Sequence, residues 1–138
     1  MAEGQQGGQQ QVRKIPAPQP NLETQPYWDA CAEGKLLYKK CTACGEPHFY
    51  PRAHCPFCFS DKTEWQQASG AGTIYTYSVM RRGAPVPYAI AYVTLAEGPT
   101  MMTNIVDCDL DSIKIGQKVK VVFKPSEGGA PVPCFAPA

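Results

Sequence analysis

The chain has 138 residues, with 13 Lys and Arg against 12 Asp and Glu, and a formal net charge of +1. This length admits one ordinary domain or two small ones and excludes a single large catalytic fold. The balanced charge demands neither a polyanion nor a membrane as partner, and no apolar run approaches the roughly 20 residues that span a bilayer. The N-terminus lacks a secretory signal, so we expect a cytoplasmic protein in which seven cysteines favour metal ligation over disulfides.

The first segment, residues 1–20, is rich in Gln, Gly and Pro. This composition buries too little apolar surface to offset the entropy of ordering, so we predict a disordered tail. Residues 21–38 follow as a predicted helical segment, in which Tyr27 and Trp28 interrupt polar residues and Gly34 offers a stop. Its aromatic residues are typical of packing anchors.

Residues 39–66 contain two Cys-x-x-Cys pairs separated by ten residues. Zinc prefers four tetrahedral ligands, and a two-residue spacer lets the chain turn sharply and offer both sulfurs of a pair to one ion. Four thiolates leave no open position for water or substrate, so the spacing predicts one structural zinc ion in a zinc ribbon. Iron bound as in rubredoxin uses the same ligands and stays open. The predicted ligands are Cys41, Cys44, Cys55 and Cys58.

The remaining candidates for chemistry are weaker. His48 and His54 lie between the two pairs, but four better-spaced cysteines are already present, so we expect both histidines on the surface. The isolated cysteines have no base at readable spacing and are expected to be buried thiols. We therefore predict no catalytic residue in this chain. The isolated cysteines are Cys31, Cys108 and Cys134.

Residues 67–138 form the second predicted domain. A polar connector at 61–72 leads into segments with alternating β-branched and aromatic residues, which predict strands. The final PVPCFAPA adds a fifth short strand, which its prolines confine to an edge. Five short strands indicate a mainly β fold with a five-stranded OB-fold barrel, and an open sheet or an SH3-like barrel is the alternative. The other predicted strands are 72–80, 88–97, 100–106 and 117–123.

Several motifs follow one another along residues 22–124: YW, GKLLYKKCTACG, YPR, CPFC, SGAGTIYTYSV, PYAIAYVTLAEG and IGQKVKVVF. In this order and spacing the chain resembles the rubredoxin-like zinc-ribbon plus OB-fold proteins of acyl-CoA metabolism, once catalogued as a domain of unknown function. One departure is Phe59, where that family commonly has Gly, as Gly45 follows the first pair. This departure bears on the turn at the second pair and not on the ligands.

The resemblance implies an accessory, non-catalytic subunit of a thiolase-superfamily enzyme that acts on acyl-CoA. Thiolytic cleavage, retro-aldol cleavage and, in some complexes, hydration are the reactions it implies for the partner. Such partners are commonly dimers, so the expected assembly is a two-plus-two hetero-oligomer. The resemblance also implies a site for CoA or acyl-CoA that this chain shares with the partner.

Two groups of residues are candidates for these contacts. Aromatic side chains of the helical segment and the ribbon are predicted to form the partner interface, because aromatic residues dominate interface energies. Adjacent arginines between the first two barrel strands are predicted to bind CoA phosphate, since guanidinium groups bind phosphate bidentately. The interface candidates are Trp28, Phe49, Tyr50 and Phe57, and the phosphate candidates are Arg81 and Arg82.

Single-stranded nucleic-acid binding is the alternative function, since zinc ribbons joined to OB-folds also serve it. Such a module stacks bases on aromatic rings in a basic groove. The balanced charge gives little attraction to phosphate, which disfavours this reading. The tyrosines available for stacking are Tyr75, Tyr77, Tyr88 and Tyr92.

Overall fold

A computed structural model describes residues 13–138 and contains one α-helix, a three-stranded sheet and a five-stranded closed barrel. The mainly β fold with an OB-fold barrel is therefore confirmed. No helix in the described range is long and apolar enough to cross a membrane. In chain order the elements are α1 (Gln25–Ala32), β1 (Leu37–Cys41), β2 (Pro47–His48), β3 (Thr63–Gln67), β4 (Ala71–Met80), β5 (Tyr88–Leu95), β6 (Thr100–Ile105), a 3-10 turn (Leu110–Ser112), β7 (Lys118–Lys124) and β8 (Val132–Pro137).

Helix α1 lies within the segment predicted to be helical. Asn21 stabilises the turn that precedes the helix, because its Oδ1 accepts a hydrogen bond of 2.9 Å from the Thr24 N–H. The helix ends where Gly34 adopts a positive φ of 75° and donates its N–H to the Cys31 carbonyl at 3.0 Å. Tyr27 and Cys31 face the interior. The last residues of the predicted helical segment instead begin strand β1.

The ribbon sheet has the order β2-β1-β3. Strand β3 pairs with β1 along its whole length, from Leu37 opposite Gln67 to Cys41 opposite Thr63. The prediction of a connector over these residues is wrong, because TEWQQ lacks the alternation of apolar residues that marks a strand. Strand β3 is stabilised by its pairing with β1 and by Trp65, which packs against the hydrophobic core. The Lys39 ammonium lies 4.7 Å from the centre of the Trp65 ring.

The barrel has the strand order β4-β5-β6-β8-β7 and closes through pairing of β4 with β7. The first four predicted barrel strands are confirmed to within two residues at each end. Their inward side chains are apolar and buried, including Ile74, Val93 and Phe135. Gly72 is needed because a Cβ at this buried position would lie 2.5 Å from Val93 Cγ1 on the neighbouring strand β5. Closure leaves none of these five strands as a sheet edge.

The prediction that β8 lies at an edge is wrong. This strand lies between β6 and β7, antiparallel to β7 along its length and joined to β6 by a single residue pair. The Ala138 N–H donates to the Lys118 carbonyl at 3.1 Å, and alternate residues of an antiparallel strand bond to the same neighbour. Pro133 and Pro137 therefore direct their missing N–H groups toward the sparsely paired β6 side. The prolines fit an interior strand because they remove no bond to β7.

One hydrophobic core joins the helix, the ribbon and the barrel. Tyr27 and Leu36 belong to the same cluster of buried residues as Ile74 and Phe135 of the barrel. A backbone hydrogen bond joins the residue before β1 to the residue after β3, since the Ala68 N–H donates to the Leu36 carbonyl at 2.8 Å. The ribbon therefore does not rest on metal ligation alone, and its position on the barrel is fixed by packing.

Residues 13–18, here termed the N-terminal strap, lie along the barrel. The Ile15 carbonyl accepts a 2.9 Å hydrogen bond from the Glu127 N–H, and Pro16 forms a parallel bridge with Glu127. Arg13 reaches β6, where its Nη1 donates to Asn104 Oδ1 at 3.2 Å. The tail predicted over residues 1–20 includes this strap. Its first part, residues 1–12, lies outside the described residues.

Candidate metal centre and partner surface

The two cysteine pairs form matching turns. The Gly45 N–H donates to the Cys41 carbonyl at 2.9 Å, and the Phe59 N–H donates to the Cys55 carbonyl at the same distance. Both donors have a positive φ, 81° at Gly45 and 65° at Phe59. Phe59 therefore takes the left-handed conformation that glycine adopts freely, so its side chain leaves the turn geometry unchanged.

The turns bring four sulfur atoms together. The Cys41 and Cys58 sulfurs are 3.6 Å apart, the Cys44 and Cys55 sulfurs are 3.7 Å apart, and all four lie within 4.8 Å of one another. A tetrahedral site with Zn–S bonds of about 2.3 Å has edges of about 3.7 Å. The four donors therefore fit zinc, as the spacing of the sequence predicts, and they equally suit iron.

Backbone N–H groups surround these sulfurs. The Cys44 N–H points at the Cys41 sulfur at 3.5 Å, and the Phe57 N–H points at the Cys55 sulfur at 3.4 Å. The bond from Cys44 is the main reason why the pKa of the Cys41 thiol is lowered to about 7. Such bonds favour the thiolate, the form that binds metal. At Cys44 a backbone hydrogen bond from Glu46 lowers the pKa, but desolvation and the neighbouring thiols outweigh it and raise the pKa to about 12. Two of the four cysteines, Cys41 and Cys55, are buried.

The histidines between the pairs are not part of this cluster. His48 is buried, so the expectation that it is a surface residue is wrong, whereas His54 is exposed. The His48 Nε2 accepts a hydrogen bond of 3.3 Å from the Arg52 N–H, and burial lowers the pKa of His48. His48 is therefore neutral near pH 7, and the hydrogen bond that it accepts stabilises the loop between the two cysteine pairs. The sequence gives little sign of this, because His48 stands between Pro47 and Phe49 in a stretch with no periodic apolar pattern.

The isolated cysteines differ in exposure. Cys31 and Cys134 are buried, and burial raises the pKa of each thiol to about 11. Cys108 is half-buried, and burial together with the nearby charges of Asp109 and Asp107 raises its pKa as well. All three are therefore protonated thiols near neutral pH, in keeping with the expected role as small apolar groups.

The predicted interface residues fall into two groups. Trp28 and Phe49 are half-buried and pack edge-to-face on Tyr27, with ring centres 4.9 and 5.7 Å from its ring. They therefore belong partly to the core. Tyr50 and Phe57 are exposed, the latter to 61 %. These two offer the larger free apolar area.

Two further exposed apolar side chains were missed by the sequence reasoning. Leu22 is 99 % exposed in the turn before α1, and Phe59 is 79 % exposed at the second cysteine pair. A signal was available for Phe59, because an aromatic residue at a position that favours glycine is unusual. Together with Tyr50 and Phe57, these two are exposed apolar residues of the helical segment and the ribbon.

The predicted phosphate-binding arginines lie in the loop between β4 and β5. Arg81 donates to the Asp111 carboxylate of the 3-10 turn, an ion pair that the sequence does not predict. Arg82 is exposed and makes no ion pair within residues 13–138. The two guanidinium groups therefore differ, because one is already partly neutralised by a carboxylate.

The fold and the cysteine cluster define a zinc-ribbon protein with an OB-fold barrel. A family model described as the ChsH2 rubredoxin-like zinc ribbon domain matches residues 28–64, and one described as the ChsH2 C-terminal OB-fold domain matches residues 65–124. The chain belongs to this ChsH2 family, whose members also carry the name DUF35. The match to the zinc ribbon domain and the clustered sulfurs together support a structural zinc ion.

Curated relatives carry two kinds of name. A "DUF35 domain-containing scaffold protein" of Methanothermobacter thermautotrophicus is 42% identical over 95 residues, which cover 64% of this chain and 71% of the relative. A "Probable enoyl-CoA hydratase alpha subunit" of Thermomonospora curvata is 30% identical over 127 residues and 89% of this chain. The match spans only 40% of that relative, so its name describes a longer protein.

Two solved structures share the architecture. A chain of the structure titled "Ltp2-ChsH2(DUF35) aldolase" matches with a TM-score of 0.75 and 29% identity, covering 87% of this chain and 98% of that one. A DUF35 protein from Sulfolobus solfataricus, described as of unknown function, matches with a TM-score of 0.62 and 17% identity over 86% of this chain and 87% of that one. At that identity the second match supports the fold alone.

Proposed function

We propose that the protein is a non-catalytic subunit that binds and supports a thiolase-superfamily enzyme acting on acyl-CoA. The observation that carries this proposal is the closed set of four thiolates. A metal with four protein ligands has no position for substrate, so it stabilises the fold and takes no part in a reaction. The protein then contributes a rigid surface and leaves the chemistry to its partner.

The names of the relatives support the same reading. One relative is named a scaffold protein, one a subunit of a probable enoyl-CoA hydratase, and one solved match is part of an aldolase with Ltp2. We propose thiolytic or retro-aldol C–C cleavage as the reaction of the partner, with CoA or acyl-CoA as the shared ligand. A two-plus-two hetero-oligomer follows if the catalytic partner is itself a dimer. Hydration is the alternative reaction.

The partner contact is proposed at the aromatic side chains of the helix and the ribbon. Phe57 is the sharpest probe, because its side chain is largely exposed and its loss costs the fold little, whereas Trp28 packs on Tyr27. We expect Phe57→Ser to reduce co-purification with the catalytic partner at least about tenfold, since central aromatic residues contribute about 2 kcal/mol or more. Tyr75→Ser is the matched control, an equally exposed aromatic residue of the barrel.

The outcome separates the two roles of these aromatic residues. Reduced pairing of Phe57→Ser with normal zinc content, and unchanged pairing of Tyr75→Ser, supports docking through the ribbon. Undiminished pairing of Phe57→Ser and of a second variant, Tyr50→Ser, removes this surface from the proposal. Size-exclusion chromatography with light scattering on the same complex measures its stoichiometry.

The CoA contribution is proposed at Arg81 and Arg82. We expect the double alanine variant to weaken CoA binding by the complex, with Arg82 contributing more because Arg81 is paired with Asp111. Isothermal titration of CoA and of dephospho-CoA into the complex measures this effect. Unchanged affinity in the double variant removes the phosphate role.

Nucleic-acid binding receives less support. Strand β5 carries Tyr88 and Tyr92, but neither β5 nor β6 contains Lys or Arg. The Arg13 guanidinium lies over the Tyr88 ring, but one cation does not form the basic groove that such binding requires. A salt-sensitive shift of single-stranded DNA at micromolar protein would favour this alternative, and its absence would favour the subunit role.

A further inference from the structure

A groove of about 500 Å³ lies at one end of the barrel, and none of its lining residues belongs to the two cysteine turns. It is bounded by the loop before β5, the chain that follows β6, the end of β7 and the N-terminal strap. This volume falls in the range of pockets for small molecules. Its walls are largely aliphatic, with Ile15, Val86, Pro87, Ile105, Val106 and Leu110.

Arg13 is a cation held in place at this groove. Its guanidinium carbon lies 4.1 Å from the centre of the Tyr88 ring, and its Nη1 donates to Asn104 Oδ1 at 3.2 Å. The Asn104 amide is itself oriented, because its Nδ2 donates to the Ala89 carbonyl at 2.9 Å. Arg13 also lines a second, adjoining groove of about 310 Å³ over β5 and β6. A guanidinium fixed by a ring face and a neutral amide keeps its charge and several N–H donors available.

The charges around the groove leave one positive charge in excess. Lys124 also lines it, but the Lys124 ammonium lies 2.7 Å from the Asp107 carboxylate on the same wall. Within residues 13–138, no carboxylate lies within 4.0 Å of the Arg13 guanidinium. A second copy of this chain would bring the same cation to this surface, so charge complementarity favours an anion instead.

We propose that this groove binds an aliphatic monocarboxylate, with the carboxylate on Arg13 and the chain along the aliphatic wall. The carboxylate matches both the single excess charge and the planar fork of the guanidinium. The chain removes apolar wall from water, which stabilises the complex in proportion to the area buried. Arg81 and Arg82 do not line this groove, although Val86 and Pro87 of the same loop between β4 and β5 do. The proposed site does not depend on the proposed partner.

The test uses the full-length, zinc-loaded chain and sodium octanoate as the probe in isothermal titration. We expect saturable binding of one octanoate per chain, and binding of neutral 1-octanol at least about tenfold weaker, because a hydrogen bond to a charged group contributes about that factor. Octylammonium is expected not to bind. Octyl phosphate distinguishes the head groups, and we expect it to bind no more tightly than octanoate.

Three variants assign the site. Arg13→Gln is expected to weaken octanoate binding by about 10- to 100-fold. Lys14→Gln is the matched control, since it removes the neighbouring strap cation, which pairs with Glu127 and does not line the groove. Val86→Trp is expected to fill the groove and abolish binding while leaving Arg13 in place, so its effect does not depend on attachment of the strap.

The results that would overturn the proposal are equally specific. The absence of detectable heat with octanoate up to about 5 mM, the range of millimolar dissociation constants, would overturn it. Equal affinity in Arg13→Gln and the unaltered chain, or full binding in Val86→Trp, would overturn it as well. Octyl phosphate binding at least about tenfold more tightly than octanoate would overturn the assignment to a carboxylate. Unchanged thermal unfolding of each variant shows that the fold is intact.

Discussion

Phe59 and Gly45 occupy the same position in the two cysteine turns, but only glycine adopts a positive φ without a steric cost. Phe59 is largely exposed, so its removal loses little packing. We expect Phe59→Gly to stabilise the zinc-loaded protein by about 0.5–1 kcal/mol, the difference between relief of the left-handed strain and the added entropy of glycine when unfolded. Denaturant unfolding measures it.

The reverse substitution provides the control. A Cβ at Gly45 meets nothing within 4 Å, so Gly45→Ala tests the conformational cost alone and is expected to destabilise by about 1 kcal/mol. A loss of stability in Phe59→Gly would mean that the exposed ring contributes more to the fold than its contacts indicate. Reduced pairing with the partner at full stability would instead mark Phe59 as part of the interface.

The ligands themselves are tested at single cysteines. Cys44 is exposed and Cys108 is half-buried, so replacement of either sulfur by oxygen changes packing little. We expect Cys44→Ser to lose most bound zinc and to unfold at lower temperature, because a three-thiolate site binds the ion more weakly. Cys108→Ser is expected to retain one zinc ion per chain. Elemental analysis after gel filtration measures both, and equal zinc content would contradict the assignment.

At the scale of elements, strands with alternating apolar residues were predictable and strands held by pairing were not. The pattern of YAIAYVTL, with buried residues at every second position, is what period-two alternation indicates. In contrast, Trp65 is the one apolar residue of β3, so the strand shows no alternation and is defined by its pairing with β1. An interior position for β8 requires that the missing N–H groups of its prolines point away from β7, and this depends on the register with β7. Register is a tertiary property that a single sequence does not contain.

Strand β8 lies between β6 and β7 in the closed barrel, and this position can be tested at Phe135. Phe135 is fully buried and belongs to the core, whereas an edge strand would leave such a side chain partly in water. We expect Phe135→Ala to destabilise the protein by about 3–5 kcal/mol, the usual cost of removing a buried phenyl ring. Urea unfolding measures this loss. A cost under about 1 kcal/mol would contradict burial between β6 and β7.

The tight packing around Gly72 provides a second test of the barrel. A Cβ there would lie 2.5 Å from Val93 Cγ1 and 3.2 Å from the Thr94 carbonyl, so the Val93 side chain or the local backbone would have to shift. We expect Gly72→Ala to destabilise by about 1–3 kcal/mol, as overpacked cores do. Ser78→Ala, at an exposed position of the same strand, is the control and is expected to change stability by less than about 0.5 kcal/mol. Equal effects would contradict the tight packing around Gly72.

At the scale of the whole molecule, the metal and the common core act together. The metal ligands were predictable because spacing alone determines which cysteines form each turn, and the observed sulfur separations agree with it. The ion pair of Arg81 with Asp111 and the groove at Arg13 were not, because each joins residues that are distant in sequence. The burial of His48 was not predictable either, because no periodic apolar pattern surrounds it. We expect chelation of the metal to lower the stability of the entire chain, since the ribbon shares its core with the barrel.

The central claim is that this chain supports the chemistry of another protein and performs none itself. The most direct measurement is acyl-CoA turnover by the zinc-loaded chain alone, by the catalytic partner recovered with it from native cells, and by the two combined. We expect no turnover by the chain alone and a marked increase for the combination over the partner alone. Turnover by the isolated chain, or full activity of the partner without it, would contradict the account.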